Sequence, residues 1–393
     1  MVAKKSLKIL NLLGFLFALS VAFPAYIRST FLEEFVALRW IGLFFIGSAV
    51  LSLVAINFFP YFIKKFTNYR LSLIVIIIDI VSILLLISTR SPYWAFVFFT
   101  FAVVATYLIW ISLDVFVEKL TANITTGRTR TIYLTFTNLG WVLSPLAVGY
   151  LVGEKNYRLI YFIAVLFLLS IFIILLAKRK SLEDHVVYKH HHTLRTLKNI
   201  WRNLNLRGIF AIAFLLELFY AIAVIYMPIY LHQDLGFDWS VIGIIFTFML
   251  LPFIILEIPA GVLADKYAGE KKIFCLGFII LVTAVALFFF VNSTNPIVWG
   301  LILFISRCGA ALIEAMRESY FFKIVDVEDI DYINFFRNIS PLSYLIGSAL
   351  AILILEFYPI QYLFIFLAVI LLSGFYFTWR IKAVSKKSLN VKK

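Results

Sequence analysis

Three ionisable residues interrupt long apolar runs in the second half of this 393-residue sequence: Glu217, Arg307 and Glu314. A charged side chain at the centre of a bilayer costs about 2.5 to 3.5 kcal/mol on insertion scales, so each is expected to face a cavity or a partner. Glu314 follows Arg307 by seven residues and shares its helical face. We predict that Arg307 pairs with Glu217 or Glu314, and that protonation of one carboxylate releases its partner. A static ion pair that only joins two helices is the alternative.

The other residues capable of chemistry lie at less telling positions. Asp114 stands four residues before Glu118, one turn inside another apolar run. Asp114 acts either as part of a gate or as a charged group at a helix end whose side chain extends to the membrane surface, and the second interpretation is favoured. The five histidines lie outside the apolar runs, and no run holds paired aspartates or a Ser/His arrangement. The sequence therefore predicts no enzyme, no cofactor and no metal site, and the triplet at 190–192 is interpreted as linker.

The composition indicates the surroundings of these residues. Hydrophobic residues make up 63% of the chain and charged residues 14%, with a mean hydropathy of +1.00, which a water-soluble surface cannot accommodate. The runs are continuously apolar and long enough for helices, without the alternation of a β-barrel. We predict an all-α membrane protein with twelve transmembrane helices, at residues 7–27, 38–59, 71–89, 93–117, 131–152, 157–177, 208–231, 239–260, 272–291, 296–316, 332–356 and 359–379.

The basic residues indicate the orientation of the chain. Most of the 35 lie at the termini or in the even-numbered connections, and the odd-numbered ones hold only Arg28, Arg39, Arg90, Lys155 and Arg158. Because cytoplasmic loops carry the excess of Lys and Arg, both termini are predicted to be cytoplasmic. This alternation of charge with topology also argues against a nucleic-acid partner, despite a net charge of +14.

A polar stretch between the sixth and seventh runs divides the chain. We predict an amino-terminal six-helix bundle at 1–178, a cytoplasmic linker at 179–207 and a carboxyl-terminal six-helix bundle at 208–393. The linker holds a basic amphipathic segment, typical of a helix that lies on the inner leaflet and anchors the chain there. Its apolar face comprises Leu194, Leu197, Trp201 and Leu204.

Two pairs of similar segments suggest that the bundles arose by duplication. The loop after the eighth run reads Glu257-x-Pro259-x-Gly261-x-Leu263-Ala264-Asp265-Lys266-x-x-Gly269-x-Lys271-Lys272. At an offset of 201 residues, the loop after the second run aligns Lys64 with Asp265 and Asn68 with Gly269. At an offset of 204, the segment from Asp114 to Lys119 aligns with the segment from Glu318 to Lys323.

With this loop, the whole chain resembles the major facilitator superfamily of secondary transporters. In that family the aspartate of the loop is thought to latch the cytoplasmic ends of the two halves. The first-half copy departs from the pattern, since Lys64 and Asn68 replace the aspartate and the glycine. A loop that only makes a turn and carries positive charge is the alternative. The resemblance implies a cytoplasmic gate motif at Glu257, Gly261, Asp265, Lys266, Gly269 and Lys271.

The resemblance also implies that the first, fourth, seventh and tenth spans line a central cavity. These spans would bring together Glu217, Arg307 and Glu314, and Asp114 of the fourth span completes the predicted set of coupling residues. Aromatic side chains with few hydrogen-bonding groups fit amphiphilic or cationic organic compounds better than sugars. The implied cavity-lining residues are Asn11, Tyr107, Trp110, Tyr220 and Tyr226.

The fifth span carries Gly140-x-x-x-Ser144-Pro145-x-x-Val148-Gly149, which partly resembles the glycine-proline motif of exporters in the superfamily. A kinked helix that only serves packing is the alternative. We therefore predict a secondary active transporter in the plasma membrane that moves a small organic solute by alternating access, coupled to protons, with efflux suggested by the fifth span. The predicted partners are the solute, the proton and the bilayer. A transporter-derived sensor or scaffold that binds a ligand without moving it is the alternative.

Overall fold

The computed structural model describes residues 2–121, 126–152, 156–182, 193–256, 259–260, 269–325 and 330–382. Within these ranges the chain is almost entirely helical, and no strand occurs there. Helices are the expected outcome, because a backbone in hydrocarbon must satisfy its polar groups within each segment. The all-α class predicted from the sequence is confirmed.

The helices follow one another with short connections. Up to residue 182 they are α1 (Val2–Ala25), α2 (Arg28–Leu32), α3 (Ile41–Ser88), α4 (Pro92–Thr121), α5 (Thr126–Leu151), α6 (Tyr157–Ala177) and α7 (Arg179–Leu182). After residue 192 they are α8 (Thr193–Arg202), α9 (Leu204–Ile229), α10 (Trp239–Ile255), α11 (Glu270–Phe290), α12 (Pro296–Ile324), α13 (Ile330–Arg337), α14 (Ile339–Phe357) and α15 (Gln361–Arg380). A π-helical turn, Tyr230–Asp234, extends α9.

Each of the twelve predicted spans coincides with one of these helices, with an arm of α3 or, for 332–356, with α13 and α14 together. Within the described residues, nine helical segments are long and apolar enough to cross a membrane, and α10 is a shorter apolar helix. The number is smaller than twelve partly because α3 contains both the second and the third predicted span. Apolar side chains such as Ile173 and Val369 are exposed on the helices, as a lipid-facing surface requires.

The second and third spans meet at a backbone reversal inside α3. Thr67 has φ 65° and ψ 154°, and Gly269, which precedes α11, has φ 70° and ψ 153°. These nearly identical angles place Thr67 opposite Gly269, at an offset of 202 residues. The alignment of Asn68 with Gly269 is therefore wrong by one residue. The physical reason is that the backbone angles of Thr67 and Gly269 match, whereas the types of these two residues and of their neighbours do not reveal the match.

The described residues form two compact units. One unit comprises described residues within 1–189 and 224–247, and the other those within 190–223 and 248–393. The boundary falls inside α9, between Ala223 and Val224. The division at residues 178 and 208 stays a prediction.

In the first unit, close helix crossings depend on glycine. A Cβ atom on Gly140 of α5 would lie 2.8 Å from the Cβ of Ala18 and 3.1 Å from the carbonyl oxygen of Phe15, both in α1. A Cβ on Gly149 would lie 2.6 Å from the Trp239 carbonyl oxygen of α10, and 2.9 Å from the Gly243 Cα. The glycines of the fifth span therefore allow the backbones of α1, α5 and α10 to touch.

Residues 224–247 are held in the first unit by further contacts. The Ser29 hydroxyl donates a hydrogen bond of 2.6 Å to the Ile225 carbonyl oxygen. The rings of Tyr26 and Phe246 lie 4.8 Å apart, and the Gln233 amide donates a hydrogen bond to the Glu33 carboxylate. The end of α9 and the start of α10 are thus attached to the segment that follows α1.

In the second unit, α11 packs against α12 and α15. A Cβ on Gly309 would lie 2.6 Å from the Leu281 nitrogen and 2.7 Å from the Gly277 carbonyl oxygen. A Cβ on Gly374 would lie 2.3 Å from the Phe278 ring. On another face of α12, the ionisable side chains contact side chains of α9.

Candidate functional site

Two helices of the second unit carry a cluster of ionisable and aromatic side chains. On α9, Glu217 and Tyr220 are one turn apart, and on α12, Glu314 and Arg317 have the same spacing. Side chains three residues apart in a helix point to one side, so each helix presents a pair to the other. The cluster lies wholly within the described residues of this unit.

Arg317 is the centre of the cluster. Its Nη1 lies 2.8 Å from Glu217 Oε1, and its Nη2 lies 3.7 Å from Glu314 Oε1 and 3.4 Å from Glu318 Oε1. The Arg317 side chain is 9% exposed and that of Glu217 is 17% exposed. Removing one partner of an ion pair buried to this extent strongly destabilises the protein, because the other charge then remains buried without a partner.

Glu314 has a second partner and is more accessible. The Tyr220 hydroxyl donates a hydrogen bond of 2.6 Å to Glu314 Oε2. The Glu314 side chain is 30% exposed, against 17% for Glu217. Glu314 is therefore held by a tyrosine and by a longer contact with Arg317, whereas Glu217 makes the short charged contact.

Arg307 lies two turns before Glu314 on α12 and is 3% exposed. Its guanidinium carbon lies 4.7 Å from the centre of the Phe219 ring and 5.6 Å from that of the Tyr220 ring. A guanidinium over aromatic faces is stabilised by the negative potential of the rings. Arg307 thus adjoins the cluster through Tyr220.

The residue that sequence reasoning missed is Arg317. The prediction assigned Glu217 or Glu314 to Arg307, but the guanidinium in salt-bridge contact with both carboxylates is that of Arg317. Arg317 directly follows the predicted tenth span, 296–316, and the sequence therefore places it in an even-numbered connection. The signal that could have found it is the spacing Glu314-x-x-Arg317, which puts opposite charges on one face of the helix.

The predicted residues of the first unit lie elsewhere. Asn11 is buried, Tyr107 and Asp114 are half-buried, and Trp110 packs edge-on against Phe17 with ring centres 4.8 Å apart. These belong to α1 and α4, which adjoin one another in that unit. Tyr226, although on α9, belongs to the first unit and is fully buried.

The predicted gate motif is only partly visible. Glu257, Gly261, Asp265 and Lys266 lie outside the described residues. Gly269 has the positive φ of 70° that the reversal requires, and Lys271 Nζ donates a hydrogen bond of 2.7 Å to the Trp379 carbonyl oxygen. Lys271 therefore ties the start of α11 to the end of α15. The described residues contain no group of three or more His, Cys, Asp or Glu side chains that could hold a metal ion.

Comparison with known families accounts for this architecture. The family model described as Major Facilitator Superfamily matches residues 9–328 and 240–393, which together span nearly the whole chain. The chain belongs to the major facilitator superfamily.

Solved structures of the superfamily share the fold. A mutant form of nucleoside transporter NupG is similar with a TM-score of 0.77 and 15% sequence identity, over 97% of this chain and 100% of that chain. NupG itself is similar with a TM-score of 0.72, at the same identity and coverage. No curated relative matches the chain.

Membership of the superfamily confirms the resemblance read from the loop motif, the fold of two six-helix bundles and the exclusion of an enzyme. It supports secondary transport of a small solute by a multi-pass protein in a lipid bilayer.

Proposed function

We propose that this protein is a proton-coupled secondary transporter of a small organic solute, with the cluster around Arg317 as the coupling site. The observation that carries the proposal is the sharing of one guanidinium by Glu217, Glu314 and Glu318 at 2.8, 3.7 and 3.4 Å. Charges in a membrane helix face partners or pathways and are typical of proton relays.

The cluster has a net negative charge that a bound proton would neutralise. Three carboxylates adjoin Arg317, and Arg307 supplies a second positive charge next to Tyr220. These five groups sum to one negative charge when all are ionised. One proton on a carboxyl group makes the cluster neutral, and loss of that proton restores the full attraction to Arg317.

Glu314 is the group we assign to proton exchange. It is the more accessible of the two membrane carboxylates and makes the longer contact with Arg317. Its second bond comes from Tyr220, a neutral donor that can stay in place when the carboxyl group is protonated. Glu217 then keeps Arg317 in position while Glu314 gains and loses the proton.

The aromatic rings beside Glu314 favour an organic solute. Phe219 lies under Arg307, and the ring centre of Phe253 lies 6.3 Å from that of Tyr220. Apolar and aromatic walls with a few polar groups are typical of sites for small organic molecules.

We place both termini in the cytoplasm of a cell whose plasma membrane holds the protein, because the basic residues concentrate on that side. Efflux is the direction that the glycine-proline segment of α5 supports. The contacts of Gly140 and Gly149 explain that segment equally well as a packing device, so the flux experiment has to decide the direction.

The test begins with a ligand screen by thermal shift on the purified protein. A stabilising compound is then followed in liposomes with and without a pH gradient. We expect flux that depends on the gradient, and Glu314→Gln is expected to lose that dependence while still binding the compound. Glu356→Gln, the same change at an exposed position of the same unit, serves as the control.

Unchanged proton dependence in both Glu217→Gln and Glu314→Gln would remove the coupling proposal. Binding without flux in the parent protein would instead identify a sensor. The sign of the gradient that drives accumulation distinguishes export from import.

A further inference from the structure

Helix α8 exposes an apolar face that no other described part of the chain covers. Leu197 is 42% exposed and Trp201 is 65% exposed, one turn apart on the same side. Ile200, turned about 100° from Trp201 around the helix, is buried against the protein. The helix is therefore seated on the unit near Ile200 and exposes a large indole and a leucine on the adjacent part of its surface.

Basic side chains flank this apolar face. Lys198 and Arg202 are exposed, and the sequence from Thr193 to Arg207 contains no acidic residue. Apolar and basic sides that adjoin each other are typical of helices that lie in the plane of a membrane surface. The positive charge complements an anionic surface.

The end of α15 adds residues of the same kind. Trp379 is 74% exposed, Arg380 is exposed, and the Arg380 guanidinium carbon lies 5.1 Å from the Tyr376 ring centre. The Lys382 amide donates a hydrogen bond of 3.0 Å to the Asn205 side chain, which brings the end of α15 next to the start of α9. Exposed tryptophans beside basic residues are found where a protein meets the headgroup layer.

A short corner keeps α8 in a defined position beside α9. The Asn203 amide donates to the Asn199 carbonyl oxygen at 3.0 Å and so ends α8. The Asn203 side-chain oxygen accepts hydrogen bonds from the amides of Asn205 at 2.9 Å and Leu206 at 3.3 Å and so begins α9. One residue thus caps both helices, and the exposed face of α8 has a preset orientation.

We propose that α8 and the end of α15 form a binding surface for the headgroups of anionic phospholipids in the adjoining leaflet. The surface comprises Leu197, Lys198, Trp201, Arg202, Trp379 and Arg380. Leu197 and the two tryptophans enter the boundary between headgroups and acyl chains, and the basic side chains contact phosphate groups. Each basic residue near an anionic leaflet strengthens docking about fivefold.

The test places a bimane fluorophore at position 197. The full chain carries Leu197→Cys with Cys275→Ser and Cys308→Ser, and it is reconstituted in phosphatidylcholine vesicles with or without phosphatidylglycerol. We expect the bimane emission to shift to shorter wavelength with phosphatidylglycerol, and high salt to reverse the shift. Adding Lys198→Gln and Arg202→Gln should lower the docking equilibrium constant that the shift reports roughly 30-fold.

The matched control is Lys64→Gln with Lys65→Gln, two exposed basic residues in the other unit. This pair should leave the shift intact. As a second measurement, phosphatidylglycerol with brominated acyl chains should quench the parent protein more than its Trp201→Phe variant.

The proposal fails if emission is the same in both vesicle types, or if the control pair abolishes the shift as fully as the α8 pair. A shift in neutral vesicles that grows with protein density would overturn it in favour of a second copy of the chain. A response to polyglutamate but not to phosphatidylglycerol would overturn it in favour of an acidic protein partner.

Discussion

The reversal between the second and third helical spans of each half is built twice in this chain, from different residues. Thr67 and Gly269 adopt backbone angles within 5° of each other, each at the start of a helix or helical arm. Glycine adopts this conformation freely, whereas a β-branched residue is strained in it by about 1 to 3 kcal/mol. The Thr67 hydroxyl accepts a hydrogen bond from the Arg70 amide at 3.4 Å and so caps the second arm of α3.

The fourth and tenth spans differ in a similar way. At the offset of 204 residues, Glu314 and Arg317 of α12 correspond to Trp110 and Leu113 of α4. Trp110 packs on Phe17, and Leu113 is buried. The reversals of the two halves thus share a backbone conformation, whereas Glu314 and Arg317 have no ionisable counterparts at the matching positions of α4.

The largest effect should come from replacing Arg317 of α12 by leucine, the residue at the corresponding position of α4. Arg317→Leu leaves Glu217 and Glu314 without their guanidinium and should lower the free energy of unfolding by about 3 to 5 kcal/mol. Adding Glu217→Leu should recover part of the loss, because fewer buried carboxylates then lack a partner. Equilibrium unfolding in mixed micelles measures both. Equal destabilisation in the single and double variants would contradict the charged contact.

The next effect tests the packing of the other half. Gly243→Ala would place a Cβ 2.5 Å from the Pro145 carbonyl oxygen and 2.9 Å from the Gly149 Cα, so the backbones must move apart. We expect a loss of about 2 kcal/mol, as for other overpacked sites. Gly300→Ala is the control, since a Cβ there meets nothing within 4 Å. If both variants unfold alike, the α5–α10 crossing does not limit stability.

A smaller effect should follow from exchanging the two reversal residues. Thr67→Gly removes the backbone strain but also removes the hydroxyl that caps the second arm of α3. Replacing a capping residue by glycine costs only a few tenths of a kcal/mol, so the variant should be more stable by about 1 kcal/mol. Gly269→Thr should destabilise it by about the same amount. Thermal unfolding of the two single variants measures these opposite signs, and equal signs would refute the equivalence of the loops.

The smallest effect concerns a titrating contact in the connection after α1. Burial raises the pKa of Glu33 above its ordinary 4.5, the charge of Asp234 adds to this, and the hydrogen bond from Gln233 opposes it. The folded state therefore holds a proton that the unfolded state has lost, so stability falls as the pH rises from 4.5 through the raised pKa. Glu33→Gln should remove this fall.

Unfolding midpoints across that pH range provide the measurement for Glu33. Glu34→Gln is the matched control, because Glu34 is exposed and pairs with Arg158 at 3.4 Å. The same pH dependence in Glu33→Gln and in the parent protein would exclude this contact as its source.

The helices could be predicted because continuous apolar runs leave few alternatives in a bilayer. The presence of a charged site was also visible, since Glu217 and Glu314 stand out in such runs. Its pairing was not, because Arg307 and Arg317 lie on the same helix and only the packing of α9 on α12 selects between them. The one-residue shift at Thr67 was equally invisible, since a strained backbone angle leaves no mark in residue type.

Helix α9 contributes residues to both compact units. Its first part carries Glu217 and Tyr220, and its last part is tied down by Ser29 through the Ile225 carbonyl oxygen. The Ser29 hydroxyl donates that hydrogen bond to a backbone oxygen, so breaking it requires no change in the protonation of any side chain.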